Sequence, residues 1–331
     1  MKADFRYTLD TPKSFSRFER LRDGLQRDVD WLEKVQPDEH TCVVHLNSTY
    51  LDAIDCWDRD RGGINFSLIL FLGVPVAIFM LLAIVYMIKV CLDTYYPQGA
   101  IALAITLCVV FPVTGYLFWK MFSAEFFKCT YYPIRFNRKT RMIHVFRHKS
   151  KGGVLSIPWD ESFFSIGNGS YMGQELRDLR GYLMNGDKVM DSFAVGDTGT
   201  DPEQIKQFWK FIVIYMEQGP QALPRDNYIN TSTNCNLYNQ FIKAVIHCTM
   251  ILPIPVLNWI FIPFVTIARW LIMKTCKAPA WPPEIAAESA IDTNDPYVWK
   301  EPAYSIRDFF RQDTEKHEKN VERVKRLRGR K

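Results

Sequence analysis

The chain has 331 residues, 48% of them hydrophobic, 14% aromatic and 23% charged, with a formal net charge of +5. These proportions exclude a disordered tail, a collagen and a disulfide-stapled miniprotein. The eight cysteines contain no C-x-x-C pair, which suits a reducing compartment better than a disulfide framework.

Met1–Arg6 is not followed by an apolar core, so no cleavable signal peptide is expected. Residues 1–63 read as a polar N-terminal segment facing the cytoplasm. Within it, Phe15, Phe18, Leu21, Leu25, Val29 and Leu32 recur at helical spacing, predicting an amphipathic helix over 14–35. Ser16 with Glu19 has the pattern of a capping box.

Residues 64–90 carry no charge before Lys89, and 99–119 carry none at all. About 20 apolar residues suffice to cross a bilayer, so the two runs predict a transmembrane hairpin over 64–119. The connecting stretch Leu92–Gln98 has no Lys or Arg, whereas Lys120, Lys128, Arg135, Arg138, Lys139 and Arg141 follow the second run. That asymmetry predicts a multi-pass membrane protein with its polar parts in the cytoplasm. Trp119, Trp259 and Trp270 are the expected interface anchors.

Past the second run the hydropathy period falls to two. Ile134–Phe136 and Met142–Phe146 alternate about the turn Asn137–Thr140, and Leu176–Met184 and Lys188–Val195 flank Asn185-Gly186-Asp187, a strong hairpin signal. Pro202 opens a predicted helix that runs to Gln218 and stops at Gly219-Pro220. About six strands and a closing helix over 120–220 predict a small β-sandwich or open barrel capped by a helix, within an α+β membrane protein. Residues 241–275 form a third apolar stretch, interrupted at Pro253 and Pro255. A re-entrant or in-plane hairpin is favoured there, with one kinked span as the rival. Residues 276–331 read as an extended arm rich in Pro, Ala and Trp, followed by a basic C-terminal helix.

Catalytic patterns are weak. His40, Cys42, His45 and Cys56 lack the spacing of a structural zinc site. Gly167-x-Gly169-x₃-Gly173 lacks the Lys-Ser/Thr of a phosphate loop, and neither G-x-S-x-G nor H-E-x-x-H occurs. Asp160 and Glu161 are adjacent, so on a strand they would point to opposite faces. No catalytic residue, metal ligand or cofactor is therefore assigned, and a non-enzyme is expected. The candidate contacts to a membrane surface or a partner are Arg135, Arg138, Lys139 and Arg141 on the first hairpin and Arg323, Lys325, Arg326 and Arg328 at the C-terminus. The expected partners are membrane lipid and another protein. A nucleic acid is not expected, because no basic face is interleaved with aromatic residues.

Two resemblances extend this reading. The hairpin Arg135–Arg141, the strand end Ile157-Pro158-Trp159-Asp160 and the final amphipathic helix make residues 130–218 similar to the pleckstrin-homology-like superfold. The whole chain resembles a family of proteobacterial inner-membrane proteins of unknown function. The residues that carry this are His45–Leu51, Arg135–Arg141, Gly152–Asp160 and Tyr215–Pro220. Genes of that family tend to lie near type VI secretion and polymorphic-toxin loci. The resemblance implies a non-enzymatic accessory or immunity protein, with a cognate toxin as its partner, and it transfers no catalytic residue. The alternative is a membrane-active, pore-forming effector.

Overall fold

The computed structural model describes residues 7–9, 12–27, 35–40, 42–55, 73–92, a scatter of residues between 101 and 125, and 126–147, 153–171, 174–199, 201–223, 233–251 and 255–298. The chain divides into one compact unit, Met1–Val298, and a second, Trp299–Lys331, which lies outside the described residues. Arg323, Lys325, Arg326 and Arg328 therefore fall there too.

Two antiparallel sheets organise the first unit. One has the strand order β1 (Tyr7–Leu9), β7 (Phe163–Tyr171), β8 (Gln174–Asn185), β9 (Lys188–Gly199). The other is a meander of β2 (Val43–Leu46), β3 (Tyr50–Ala53), β4 (Ile134–Asn137), β5 (Met142–Val145) and β6 (Leu155–Pro158). β4 and β5 flank the turn expected at Asn137–Thr140, where Asn137 Oδ1 accepts the Thr140 amide at 3.1 Å. β8 and β9 meet at Gly186, whose φ of +60° is the left-handed value such tight hairpins need. The first two strands of the meander come from the segment before the apolar runs. β3 pairs with β4 from Ala53↔Ile134 to Tyr50↔Asn137, so everything between them is an insertion into one sheet.

The core lies where the sheets meet the helix Pro202–Gln218. Asp201 caps its N-terminus, Pro202 occupies the first turn and Gly219 closes it, as expected from the sequence. Trp209 on this helix stacks at 4.6 Å from Phe164 and 5.6 Å from Trp159, measured between ring centroids. Phe136 and Phe193 complete the aromatic cluster. Gly181 stands opposite Phe193 in the β8–β9 ladder, and a Cβ there would come within 2.3 Å of the buried ring. Gly181→Ala is expected to destabilise the fold by about 1–3 kcal/mol, because a packed ring has to leave its rotamer. Urea denaturation monitored by tryptophan fluorescence reads this directly.

Several expectations change. The helix expected over 14–35 is only Arg17–Asp23 among the described residues, although its capping box forms as expected. It stops because Gly24 is extended and bridges Ser165, and the Leu25 amide donates to Phe164. Phe18 and Leu21 consequently stand exposed, while Phe15 is buried beside Phe163 and Tyr182.

The transmembrane hairpin is also corrected. Among the described residues no helix is long and apolar enough to cross a membrane. The helix within the first run is Val74–Leu92, 19 residues long, with Lys89 in its last turn. At ~1.5 Å per residue it reaches ~28 Å, short of a hydrocarbon core of ~30 Å. The third stretch is a pair of helices, Leu237–Ile251 and Pro255–Thr275, packed through Ala244, Val245, Cys248, Ile262 and Val265. It carries buried Gln240, Asn258 and Arg269, and Pro263 lies inside its second helix. The architecture is α+β with two sheets. The multi-pass inner-membrane placement and the sidedness drawn from charge lose the span on which they rested. Trp119 and Trp259 are exposed and Trp270 is partly buried beneath Lys274.

Candidate functional site

The five-stranded sheet has two chemically distinct faces, fixed by its register. Leu46, Leu51, Phe136, Ile143 and Ile157 stand opposite one another across the strands, and all are at most 4% exposed. This is the core face. Successive residues of a strand alternate sides, so the neighbouring row, His45, Asp52, Arg135, His144 and Ser156, lies on the other face.

That second row is polar, yet its centre is buried. Asp52, Arg135 and His144 are 1%, 6% and 2% exposed. Asp52 takes a bidentate pair from Arg135, with Nε to Oδ1 at 2.7 Å and Nη2 to Oδ2 at 2.8 Å, and His45 Nδ1 lies 3.3 Å from Oδ2. The guanidinium is sandwiched, 3.7 Å from the Tyr50 ring centroid and 4.7 Å from that of Trp281. Such stacking suits the planar, weakly hydrated guanidinium, and the bidentate carboxylate compensates its burial.

Trp281 belongs to an arm, Cys276–Val298, that crosses this face and includes the short helix Pro283–Glu288. The arm is rooted where the Lys277 carbonyl accepts the Thr130 amide and the Lys277 amide donates to Lys128. Asn137 Nδ2 donates to the Glu288 carbonyl at 3.2 Å, and Thr49 Oγ1 to the Ala290 carbonyl at 3.2 Å. Lys139 Nζ reaches Asp292 at 3.5 Å. Asp295 accepts both the amide and the hydroxyl of Ser48 at 2.7 Å. Burial alone would raise the Asp295 pKa, but the hydrogen bonds from Ser48 and Tyr297 outweigh it and hold the carboxyl below its ordinary range.

His144 is the titratable centre of the row. Its Nδ1 lies 2.8 Å from Ser156 Oγ and its Nε2 lies 3.5 Å from Glu288 Oε1. The order hydroxyl, imidazole, carboxylate is that of an activated nucleophile. However, burial first and the Arg135 charge second lower the ring's pKa from 6.5 to about 4. A base that weak accepts a hydroxyl proton poorly at neutral pH, and its Nε2 is buried without a hydrogen-bond partner. The sign of the pH effect follows. A histidine with a lowered folded-state pKa is neutral in the fold while the unfolded chain takes up its proton. Stability from this group is therefore full above about pH 6.5 and is lost as pH falls towards 4, by about 3 kcal/mol at most. His144→Gln is expected to flatten that part of the stability profile, measured by urea midpoints between pH 7.5 and 4.5.

The structure separates the four basic candidates of the first hairpin. Arg135 is buried in its pair with Asp52, which corrects its expected role as a surface contact. Arg141 joins Asp160, at 2.8 Å through Nε, to Glu217, and Glu217 also accepts Trp159 Nε1 at 2.7 Å. This cluster ties the hairpin to the end of the helix Pro202–Gln218, and both carboxyls are held below their ordinary ranges. For Asp160 the main cause is its hydrogen bond from Arg141; for Glu217, burial opposes and the bonds from Arg141 and Trp159 prevail. Arg138 donates its amide to Thr49, and its Nε is buried without a hydrogen-bond partner. Lys139 is exposed at the arm's edge. Sequence reasoning missed Asp52, His144, Trp281 and Asp295. The available signal was the polar alternation Arg135, Asn137 and His144 within strands that are otherwise apolar.

Fold and site together define an α+β protein of two antiparallel sheets, one of them strapped across its polar face by a C-terminal arm. Residues 111–293, more than half of the chain, match the Family of unknown function (DUF6708), and the chain belongs to that family. The matched segment runs from β4 through Asp292 of the arm but leaves out β1–β3, and with them Asp52. No curated protein and no solved structure matches the chain.

Proposed function

We propose that this protein works by binding another protein rather than by chemistry, as an accessory or immunity protein of a type VI secretion or polymorphic-toxin system. The observation that carries the binding part is the strapped sheet. One face of the five-stranded sheet already holds a polypeptide arm, with the short helix Pro283–Glu288 in its middle, through backbone carbonyls, carboxylates and a stacked tryptophan. The secretion setting comes from the resemblance of His45–Leu51, Arg135–Arg141, Gly152–Asp160 and Tyr215–Pro220 to a family encoded near such loci. The pairing of Arg141, Asp160 and Glu217 with one another favours a scaffold role for those groups. The test is co-expression with the toxin encoded beside the gene. Cell survival and a stoichiometric complex on size-exclusion chromatography are expected. Killing with no complex overturns the proposal, and killing by this chain alone favours the effector alternative.

A further inference from the structure

We infer that residues 279–298 are the resident occupant of a recognition groove, and that the groove takes an acidic segment of a protein partner. The partner would place an aromatic side chain over Arg135 and carboxylates at Ser48 and Lys139. This inference rests on the reading of the chain as a protein-binding factor and gives that reading its chemistry.

The argument starts from the direction of the hydrogen bonds. Beyond the root at Lys277, the sheet donates and the arm accepts. Asn137 Nδ2 and Thr49 Oγ1 donate to arm carbonyls, the Ser48 amide and hydroxyl donate to Asp295, and Lys139 Nζ donates to Asp292. A surface that offers donors selects a ligand rich in free carbonyls and carboxylates, which describes an acidic peptide. The arm has that composition. Residues 276–298 contain Glu284, Glu288, Asp292 and Asp295 against the single Lys277. The groove also has one aromatic seat, the Arg135 guanidinium that Trp281 now covers, whose charge is already met by Asp52. An aromatic ring stacks there without stranding a buried charge.

The arm's own hold is of a kind that a partner can replace. Between 279 and 298 only Ile285 and Ser289 are buried, so few apolar side chains leave water when the arm docks. The sheet beneath does not depend on the arm for its shape, since the row Leu46–Ile157 packs on the opposite face. The occupant is tethered, and a short tether supplies an effective concentration of about millimolar. A free segment of the same chemistry therefore competes poorly until the arm is loosened.

The experiment uses the full chain and, as probe, a fluorescein-labelled peptide of residues 279–298, read by anisotropy. The double variant Trp281→Ala, Asp295→Asn weakens the arm and leaves every sheet residue in place. It is expected to bind the peptide at least tenfold tighter than the wild-type chain. A peptide with Glu288, Asp292 and Asp295 changed to amides is expected to lose that binding. If the variant does not fold, a protease site inserted between Ala278 and Pro279 of the otherwise unchanged chain releases the arm by cleavage, with the same tenfold gain expected. No gain in the loosened or cleaved chain overturns the inference, and so does equal binding of the amide peptide. Peptide binding without a toxin complex keeps the groove and removes the secretion setting, while a toxin complex without peptide binding removes the groove.

Discussion

Arg135→Ala is expected to destabilise the protein by about 3–5 kcal/mol. The substitution leaves Asp52, 1% exposed, without its bidentate cation and with only the His45 ring at 3.3 Å beside it. It also removes the plate between Tyr50 and Trp281, so the arm loses its aromatic seat. Urea denaturation measures the cost, and the double variant Asp52→Leu, Arg135→Met supplies the control. Removing both charges is expected to restore much of the loss, because the penalty lies in the stranded partner rather than in the missing pair. A loss under about 1 kcal/mol for the single variant contradicts the burial of the pair.

Trp209→Ala is expected to cost about 3–5 kcal/mol through the cavity it opens. The side chain is fully buried where both sheets meet the helix, against Trp159 and Phe164. Its Nε1 also donates to the Gln26 carbonyl at 2.9 Å, so the substitution leaves that acceptor without its donor. Phe18→Ala is the matched control. Phe18 is 70% exposed, and its removal is expected to change stability by less than about 0.5 kcal/mol. Equal effects from the two would place the core elsewhere.

The parts of the fold that were legible in the sequence are those whose cause is local. The β8–β9 turn is announced by Asn185-Gly186-Asp187, and the helix Pro202–Gln218 by its own cap, first-turn proline and closing glycine. The proline break in the third apolar stretch separates two helices because prolines act within one turn of themselves. β2 and β3 were not legible. They are four residues each, and β3 finds its partner only after an insertion, at Ile134. Arg135 was misread for the same reason. A charge count registers its sign, but its partner Asp52 lies 83 positions earlier in the chain, and the ring that covers it is at Trp281. The apolar runs were read as spans from hydropathy alone, and among the described residues no helix is long and apolar enough to cross a membrane. Hydropathy marked residues 64–90, whereas the described helix occupies Val74–Leu92 and includes a lysine. The polar face of the sheet needed both kinds of information. Alternation within each strand is local, but the stacking of five strands into one row, and its burial by the arm, are properties of the tertiary structure.

The central claim is that the polar face of the five-stranded sheet serves to hold a polypeptide, with the arm in residence until a partner arrives. Hydrogen exchange of the full chain, alone and with a protein partner that co-purifies with it, tests this most directly. The account predicts that amides of 279–298 lose protection in the complex while those of β4 and β5 keep theirs. A complex that forms with the arm's protection unchanged would contradict it.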